Sequence, residues 1–205
     1  MANCEFGAFV IDFRSNENGE KPVMRVVARL SSAGILLLSA TAVAQTEPSP
    51  LYRNADYHFA VIFPGQPMAR DVTYMTKDGA SVPARQFYIE QGGDRYTVTL
   101  VKLPNAAAID KDIIEYAAQQ LLKKGTARFN YSFCYDPGVP GRQLNLSESN
   151  GHQLRGSVYM WDHQLYITEA SAPPGSPSAL QFEQSITILD ANGDDLNTGQ
   201  GSPAC

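Results

Sequence analysis

From Gln153 to Ala170 the chain reads QLRGSVYMWDHQLYITEA, and its alternation specifies its own pairing. Two strands joined by the two-residue turn Asp162-His163 bring Met160 opposite Leu165, Val158 opposite Ile167, Tyr159 opposite Tyr166 and Trp161 opposite Gln164. That register sorts the side chains. Val158, Met160, Leu165 and Ile167 share one face, and Tyr159, Trp161 and Tyr166 share the other. A slip of one residue mixes the two sets, so the pattern selects a single register. Asp tolerates the left-handed backbone that a tight hairpin turn requires.

Shorter alternating runs precede it. Tyr57–Phe63, Asp71–Met75, Ala84–Gln91 and Tyr96–Val101 read as strands, separated by turn signals at Pro64–Pro67, Lys77–Gly79 and Gly92–Asp94. A helix follows. Asp110 is its expected N-cap, Asp112 and Glu115 sit in the first turns, and Ile113, Ile114, Ala117, Leu121 and Leu122 form one apolar stripe. Lys123 and Lys124 are placed in the last turn and Gly125 ends it. Strands resume at Arg128–Tyr135, with Phe129, Tyr131, Phe133 and Tyr135 on one face, and at Arg142–Ser149 after a rigid turn over Asp136–Gly141. Ser149-Asn150-Gly151 then turns the chain into the central hairpin. Beyond the break at Ala172–Gly175, Ser176-Pro177 reads as N-cap and N1 of a second helix, with Leu180, Phe182, Ile186 and Leu189 as apolar contacts. The Gly-, Asn- and Asp-rich stretch 190–205 predicts an unstructured tail. Strands dominate without a βαβ rhythm, which disfavours a doubly wound fold. The fold class expected is α+β, an antiparallel β-sheet flanked by two helices.

A targeting segment lies inside the chain. Met24 to Arg29 is a short basic n-region, Leu30 to Leu38 an apolar h-region, and Ala42-Val43-Ala44 before Gln45 a small-x-small cleavage site. The apolar run ending at Ala44 is shorter than the roughly 20 residues a spanning helix needs, so no transmembrane segment is expected in the mature form. Cleavage between Ala44 and Gln45 sends the protein to the periplasm or the exterior. Residues 1–23 carry Glu5, Asp12, Glu17 and Glu20, which is atypical of an n-region. Translation from Met24 accounts for them better than a genuine extended leader does. The division expected is 1–23 non-native extension, 24–44 signal peptide, 45–50 linker, 51–189 α+β domain and 190–205 tail.

Composition narrows the partners. The 205 residues are 43% hydrophobic, enough for a packed core. The net charge is −5 and the pI about 5.2. Cleavage removes as many acidic as basic residues, so the mature protein stays acidic. No basic run exceeds Lys123-Lys124, so nucleic acid is not an expected partner. Of the three cysteines, Cys4 is lost on cleavage. Cys134 and Cys205 remain in an oxidising compartment. A disulfide between them closes a loop of about 70 residues and contributes roughly 4 kcal/mol on the loop-entropy model. The alternative is a buried Cys134 with a free thiol at Cys205.

FAVIFPGQP (Phe59–Pro67), PGVPGRQLNL (Pro137–Leu146), LRGSVYMWDHQLYITEA (Leu154–Ala170) and SPSALQFEQSITI (Ser176–Ile188) occur in that order. Together they resemble the PsbP/Mog1-like family of bacterial secreted proteins. In that family a strand ends in a Phe-Pro-Gly turn, and a Gly-Arg strand and an Arg-containing hairpin precede a closing helix. The resemblance implies an α-β-α sandwich. It implies a non-catalytic accessory or binding role, with no catalytic residues to carry over.

The residues themselves carry no catalytic signature. His58, His152 and His163 form no metal-ligand spacing, and no P-loop, G-x-G-x-x-G or G-x-S-x-G is present. Asp190-x-Asn192-x-Asp194 matches the start of a calcium loop, but Asp195 and Gly201 stand where Gly and Glu are needed, so it reads as coincidence. No cofactor is implied. The candidate binding residues are Arg142, Arg155, Tyr159, Trp161 and Tyr166. If their strands adjoin, they form a basic-aromatic surface for an acidic group or a protein partner in the cell envelope. The competing and favoured reading buries Tyr159, Trp161 and Tyr166 under a helix and pairs Arg155 with a carboxylate such as Glu169. The functional expectation is a secreted, non-enzymatic binding or accessory module. The alternatives are a hydrolase with a spatially assembled site and a structural protein of the envelope.

Overall fold

The computed structural model describes residues 51–136 and 138–197. The upstream extension, the signal segment with its cleavage site Ala44-Gln45, and the 45–50 linker all lie outside the described residues, as does Cys205.

The central hairpin forms in the register its alternation demands. Strand β8 (Gln153–Trp161) pairs with β9 (Gln164–Ala172), with Tyr159 opposite Tyr166 and Trp161 opposite Gln164. Asp162 and His163 make the turn at φ 46° and 60°. Both central residues are left-handed, the geometry whose twist matches that of the flanking strands. All of β9 is buried, because it lies in the middle of a seven-stranded antiparallel sheet. β3 (Met68–Met75), β4 (Ser81–Gln91) and β5 (Asp94–Lys102) continue the sheet on the β9 side. β7 (Val139–Ser147) and β6 (Thr126–Asp136) continue it on the β8 side, giving the order β3-β4-β5-β9-β8-β7-β6. Pro83 is tolerated in β4 because it lies beyond the stretch paired with β5.

One expected strand belongs elsewhere. β2 (Phe59–Ile62) leaves the meander and forms a three-stranded sheet between β1 (Leu51–Asn54) and β10 (Thr187–Ile188). The partners β1 and β10 are too short to announce themselves by alternation. The single flanked sheet expected from the sequence is therefore two sheets and two helices.

The two faces of the large sheet are covered differently. Val158, Met160, Leu165 and Ile167 pack with Leu144, Leu146 and Leu154 against helix α1 (Lys111–Leu122), through Ile114, Ala117 and Leu121. On the other face, Tyr159, Tyr166, Val98 and Leu100 pack with Phe59 and Val61 of the small sheet, with Phe63 just beyond its strand β2, and with Phe182 of helix α2 (Pro177–Gln184). Aromatic rings knit this second layer, with centroids 5.2 Å apart for Phe59–Phe87 and 5.1 Å for Phe63–Phe182. The Asp110 carboxylate caps α1 by accepting from the Asp112 and Ile113 amides, and the Ser176 hydroxyl caps α2.

Three expectations need correction. Lys123 is the C-cap of α1 rather than part of its last turn, and Lys124 beyond it pairs with Glu169 in β9. Leu180 faces outward at 39% exposure, because α2 is short and presents Ala179 and Phe182 to the core. The boundary at Asp190 falls inside ordered chain. Leu189 bridges to Asp195, and the Leu196 amide donates to the Ile188 carbonyl at 3.0 Å. The Asp190 carboxylate accepts from the Asn192 and Asp194 amides at 2.8 and 2.9 Å, so the calcium-loop match is a self-capped turn. Residues 198–205 lie outside the described residues.

Gly141 stands opposite Tyr159. A Cβ there would lie 2.4 Å from Tyr159 Cδ1 and 2.5 Å from the Val158 carbonyl oxygen. Neither neighbour can move, since the ring is buried and the carbonyl is backbone. Gly141→Ala is expected to cost about 3 kcal/mol in urea unfolding, the upper end for overpacking. A loss under about 1 kcal/mol would mean that the Tyr159 ring is not held as described.

Candidate ligand-binding site

The expected basic-aromatic surface does not assemble. Tyr159 and Tyr166 are each 1% exposed, inside the layer under α2 and the small sheet. Desolvation raises the pKa of the Tyr159 hydroxyl to about 12 and pushes that of Tyr166 up as well. Arg142 falls on the other face, because the register sets it opposite Val158. There its guanidinium donates to Asn130 and Ser132, with Glu115 of α1 at 3.6 Å. Arg155 does pair with a carboxylate. The partner is Glu183 of α2 at 2.6 Å, not Glu169, whose position opposite Gly156 turns it toward α1 and Lys124. Of the five residues, Trp161 and Tyr166 line one cavity, at the turn end of the hairpin, and Tyr159 lines another beside α2. Cys134 is disulfide-bonded.

Two cavities of the described molecule lie at the turn end of the hairpin, around the linker from β5 to α1. They share Lys102, Leu103 and Pro104 in their walls. The larger, about 660 Å³, lies between the β3–β4 turn, the linker and α1. Its walls are mainly apolar, with Val82, Leu103, Ala106 and Ile113 beside Tyr74 and Tyr116. The smaller, about 350 Å³, gathers His58, Trp161, Asp162 and His163.

The hairpin turn holds the linker in place. Leu103 N–H donates to the His163 carbonyl at 2.7 Å, and His163 N–H donates to the Ala108 carbonyl at 3.1 Å. The half-buried His163 ring is engaged, its Nδ1 lying 3.0 Å from the Ala106 carbonyl oxygen. A carbonyl only accepts, so Nδ1 carries the proton. His58, left-handed at φ 50°, is used in the same way: its Nδ1 lies 3.1 Å from the Asp190 carbonyl oxygen. Among the described residues, those with positive φ other than glycine are His58, Asp162 and His163, and all three line the smaller cavity. Backbone of this kind concentrates at functional sites.

Polar groups in the larger cavity are unevenly satisfied. Lys77 pairs with Asp112 at 3.1 Å on the surface. The Asp78 carboxylate accepts from the Thr76 hydroxyl, and that bond foremost holds its pKa down. The Tyr74 hydroxyl is buried without a hydrogen-bond partner. Desolvation first, and Tyr116 second, lift its pKa to about 12. An unsatisfied buried hydroxyl costs about 1–3 kcal/mol. Lys102 makes no ion pair among the described residues; its ammonium lies 5.2 Å from the Tyr57 ring centroid.

None of this was visible as a motif. Tyr74, Lys102 and Ile113 come from three separate elements. The available signal was His at a turn position that Asn or Gly usually fills. Among the described residues no group of three or more His, Cys, Asp or Glu is placed to hold a metal ion, and no helix is long and apolar enough to cross a membrane.

No family model matches the chain, and no curated protein matches it. Among solved structures, the chain is similar to the solution structure of cyanobacterial PsbP (CyanoP) from Synechocystis sp. PCC 6803. The TM-score is 0.44 and the identity 14%, over 78% of this chain and 99% of that one.

The Arg155–Glu183 pair makes a pH-dependent test. Burial, opposed by Arg155, raises the pKa of Glu183. A carboxyl whose pKa is raised on folding loses stability as pH climbs past its unfolded value. Removing Arg155 raises that pKa further and leaves the carboxylate unpaired. Arg155→Ala is therefore expected to cost about 3 kcal/mol at pH 7, and less as pH falls toward the ordinary carboxylate range. Urea unfolding from pH 4 to 8 reads this out, and a deficit constant across that range would contradict it.

Proposed function

We propose that this chain is a secreted or periplasmic, non-enzymatic binding module. Its ligand lies at the end of the sheet where the two cavities flank Lys102–Pro104. The observation that carries the reading is the fixed linker: bonds from His163 and its backbone hold one wall of a largely apolar cavity of about 660 Å³. Sites for small molecules have this character, being pre-formed, mostly apolar, and of about 300–1,000 Å³. The secretory reading rests on residues 24–44 of the sequence, and the layers of helix, sheet and helix are read as the α-β-α sandwich of the family its motifs resemble. A protein partner in the envelope would deliver or receive the ligand.

A hydrolase reading is supported by one cluster, in which Ser171, His152 and Glu148 meet between β8, β9 and the β7–β8 turn. Its order is unsuited to nucleophilic catalysis. The Ser171 hydroxyl donates directly to the Glu148 carboxylate, with His152 Nδ1 3.4 Å to one side. A triad places the imidazole between nucleophile and acid, and Ser171 is 4% exposed. This cluster ties the hairpin ends together.

The test is an amide NMR titration of the mature protein with a library of small aromatic and aliphatic fragments. Shifts concentrated in residues 74–82 and 102–116, with a change in Trp161 fluorescence, are expected. Shifts confined to the exposed edge strand β6, or none at all, would contradict the assignment.

A further inference from the structure

The two cavities differ in how their charges are satisfied. We infer that the smaller one accepts a zwitterion of amino-acid size, its carboxylate on Lys102 and its ammonium on Asp162. This assignment names the ligand class of one cavity and rests on the binding-module reading above.

The sheet register brings Lys102 to this cavity. Trp161, Gln164 and Lys102 stand abreast on β8, β9 and β5. Lys102 follows Val98 and Leu100 at a spacing of two, so it shares their face of the sheet, the one that carries Tyr159 and Tyr166. Its ammonium lies over the Tyr57 ring, and Trp161, Gln164, Tyr166 and Lys102 all line the smaller cavity. Asp162, at the hairpin turn, lines it as well. Among the described residues neither Lys102 nor Asp162 enters an ion pair, with the other or with any third group. Asp190, the second acid of the wall, is engaged by its own turn, accepting from the Asn192 and Asp194 amides. One free cation and one free anion, held apart in one small space, favour a ligand that carries both charges and fix its orientation.

The hydrogen-bonding groups match that orientation. An ammonium has three donors, and the wall offers acceptors beyond the Asp162 carboxylate. His58 and His163 donate from Nδ1 to the Asp190 and Ala106 carbonyls, which leaves Nε2 of each neutral ring as an acceptor. Neither Nε2 has a partner among the described residues. Both rings are held by backbone carbonyls, so their acceptors are in place before a ligand arrives. The volume, about 350 Å³, stands near the lower end of ligand sites and suits a body of amino-acid size. Half-buried Trp161, with Leu103, Pro104 and Ala191, supplies apolar surface for a side chain.

Three matched probes separate the two charges: L-phenylalanine, 2-phenylethylamine, which lacks the carboxylate, and 3-phenylpropanoate, which lacks the amine. Each is titrated into the full mature protein and read by amide NMR and by the fluorescence of Trp161, the single tryptophan. Phenylalanine is expected to bind tightest and each singly charged probe about tenfold more weakly, with shifts at Trp161, Gln164 and Ala191. Lys102 and Asp162 are exposed, so replacing either leaves the core intact. Lys102→Gln should weaken phenylalanine about tenfold and leave 2-phenylethylamine within about twofold. Asp162→Asn, which keeps a residue tolerant of the left-handed turn, should weaken phenylalanine about tenfold and leave 3-phenylpropanoate within about twofold. Phenylalanine that binds no more tightly than either singly charged probe, or that binds both variants as it binds wild type, overturns the zwitterion assignment. Silence at this cavity with all three probes, while apolar fragments still shift residues 74–82 and 102–116, overturns it too and leaves the binding-module reading intact. Absence of any response to probes and fragments alike overturns both.

Discussion

The turn at Asp162-His163 sets the constraint on which the other layers depend. Two consecutive left-handed residues impose one register on β8 and β9, and that register assigns every side chain of the hairpin to a face. Aliphatic residues go to α1, and Tyr159 and Tyr166 go to α2 and the small sheet. Since β9 pairs onward to β5 and β8 to β7, the hairpin is the centre from which both halves of the large sheet extend. The same turn reaches outward through His163 to hold the β5–α1 linker by two backbone bonds and one ring bond. Folding and the shape of the proposed site therefore share an origin.

Much of the fold was legible because it is local and periodic. The hairpin register, the Asp110 cap and the Ser176-Pro177 start of α2 are all specified by residues within a few positions of one another. What escaped was short or long-range. β1 and β10 are four and two residues long and exist because β2 lies between them. Asp190 to Leu196 looks like a polar tail, yet the Asp190 carboxylate caps its own turn and Leu196 reaches the core. The separation of Arg142 from Arg155 follows from the β7–β8 pairing, which sets Arg142 opposite Val158 and Arg155 opposite Asn145.

The site was less legible than the fold, and for a physical reason. The proposed binding site does not follow alternation along one strand. It arises where the ends of β3, β4 and β5 meet the linker and α1, and the contributing residues are ordinary ones: Tyr74, Val82, Lys102 and Ile113. The charged residues that stood out in the sequence are instead neutralised by structure, Arg155 by Glu183 and Arg142 by Glu115 and the polar edge of β6.

The central claim is that His163 couples the hairpin to the wall of the cavity. Native-state hydrogen exchange on His163→Gly tests it directly, because glycine keeps the left-handed turn and removes only the ring bond to the Ala106 carbonyl. The prediction is that amides of the linker, 103–110, lose about tenfold protection while those of β8 and β9 keep theirs. Unchanged linker protection, or a loss spread evenly through the hairpin, would contradict the coupling.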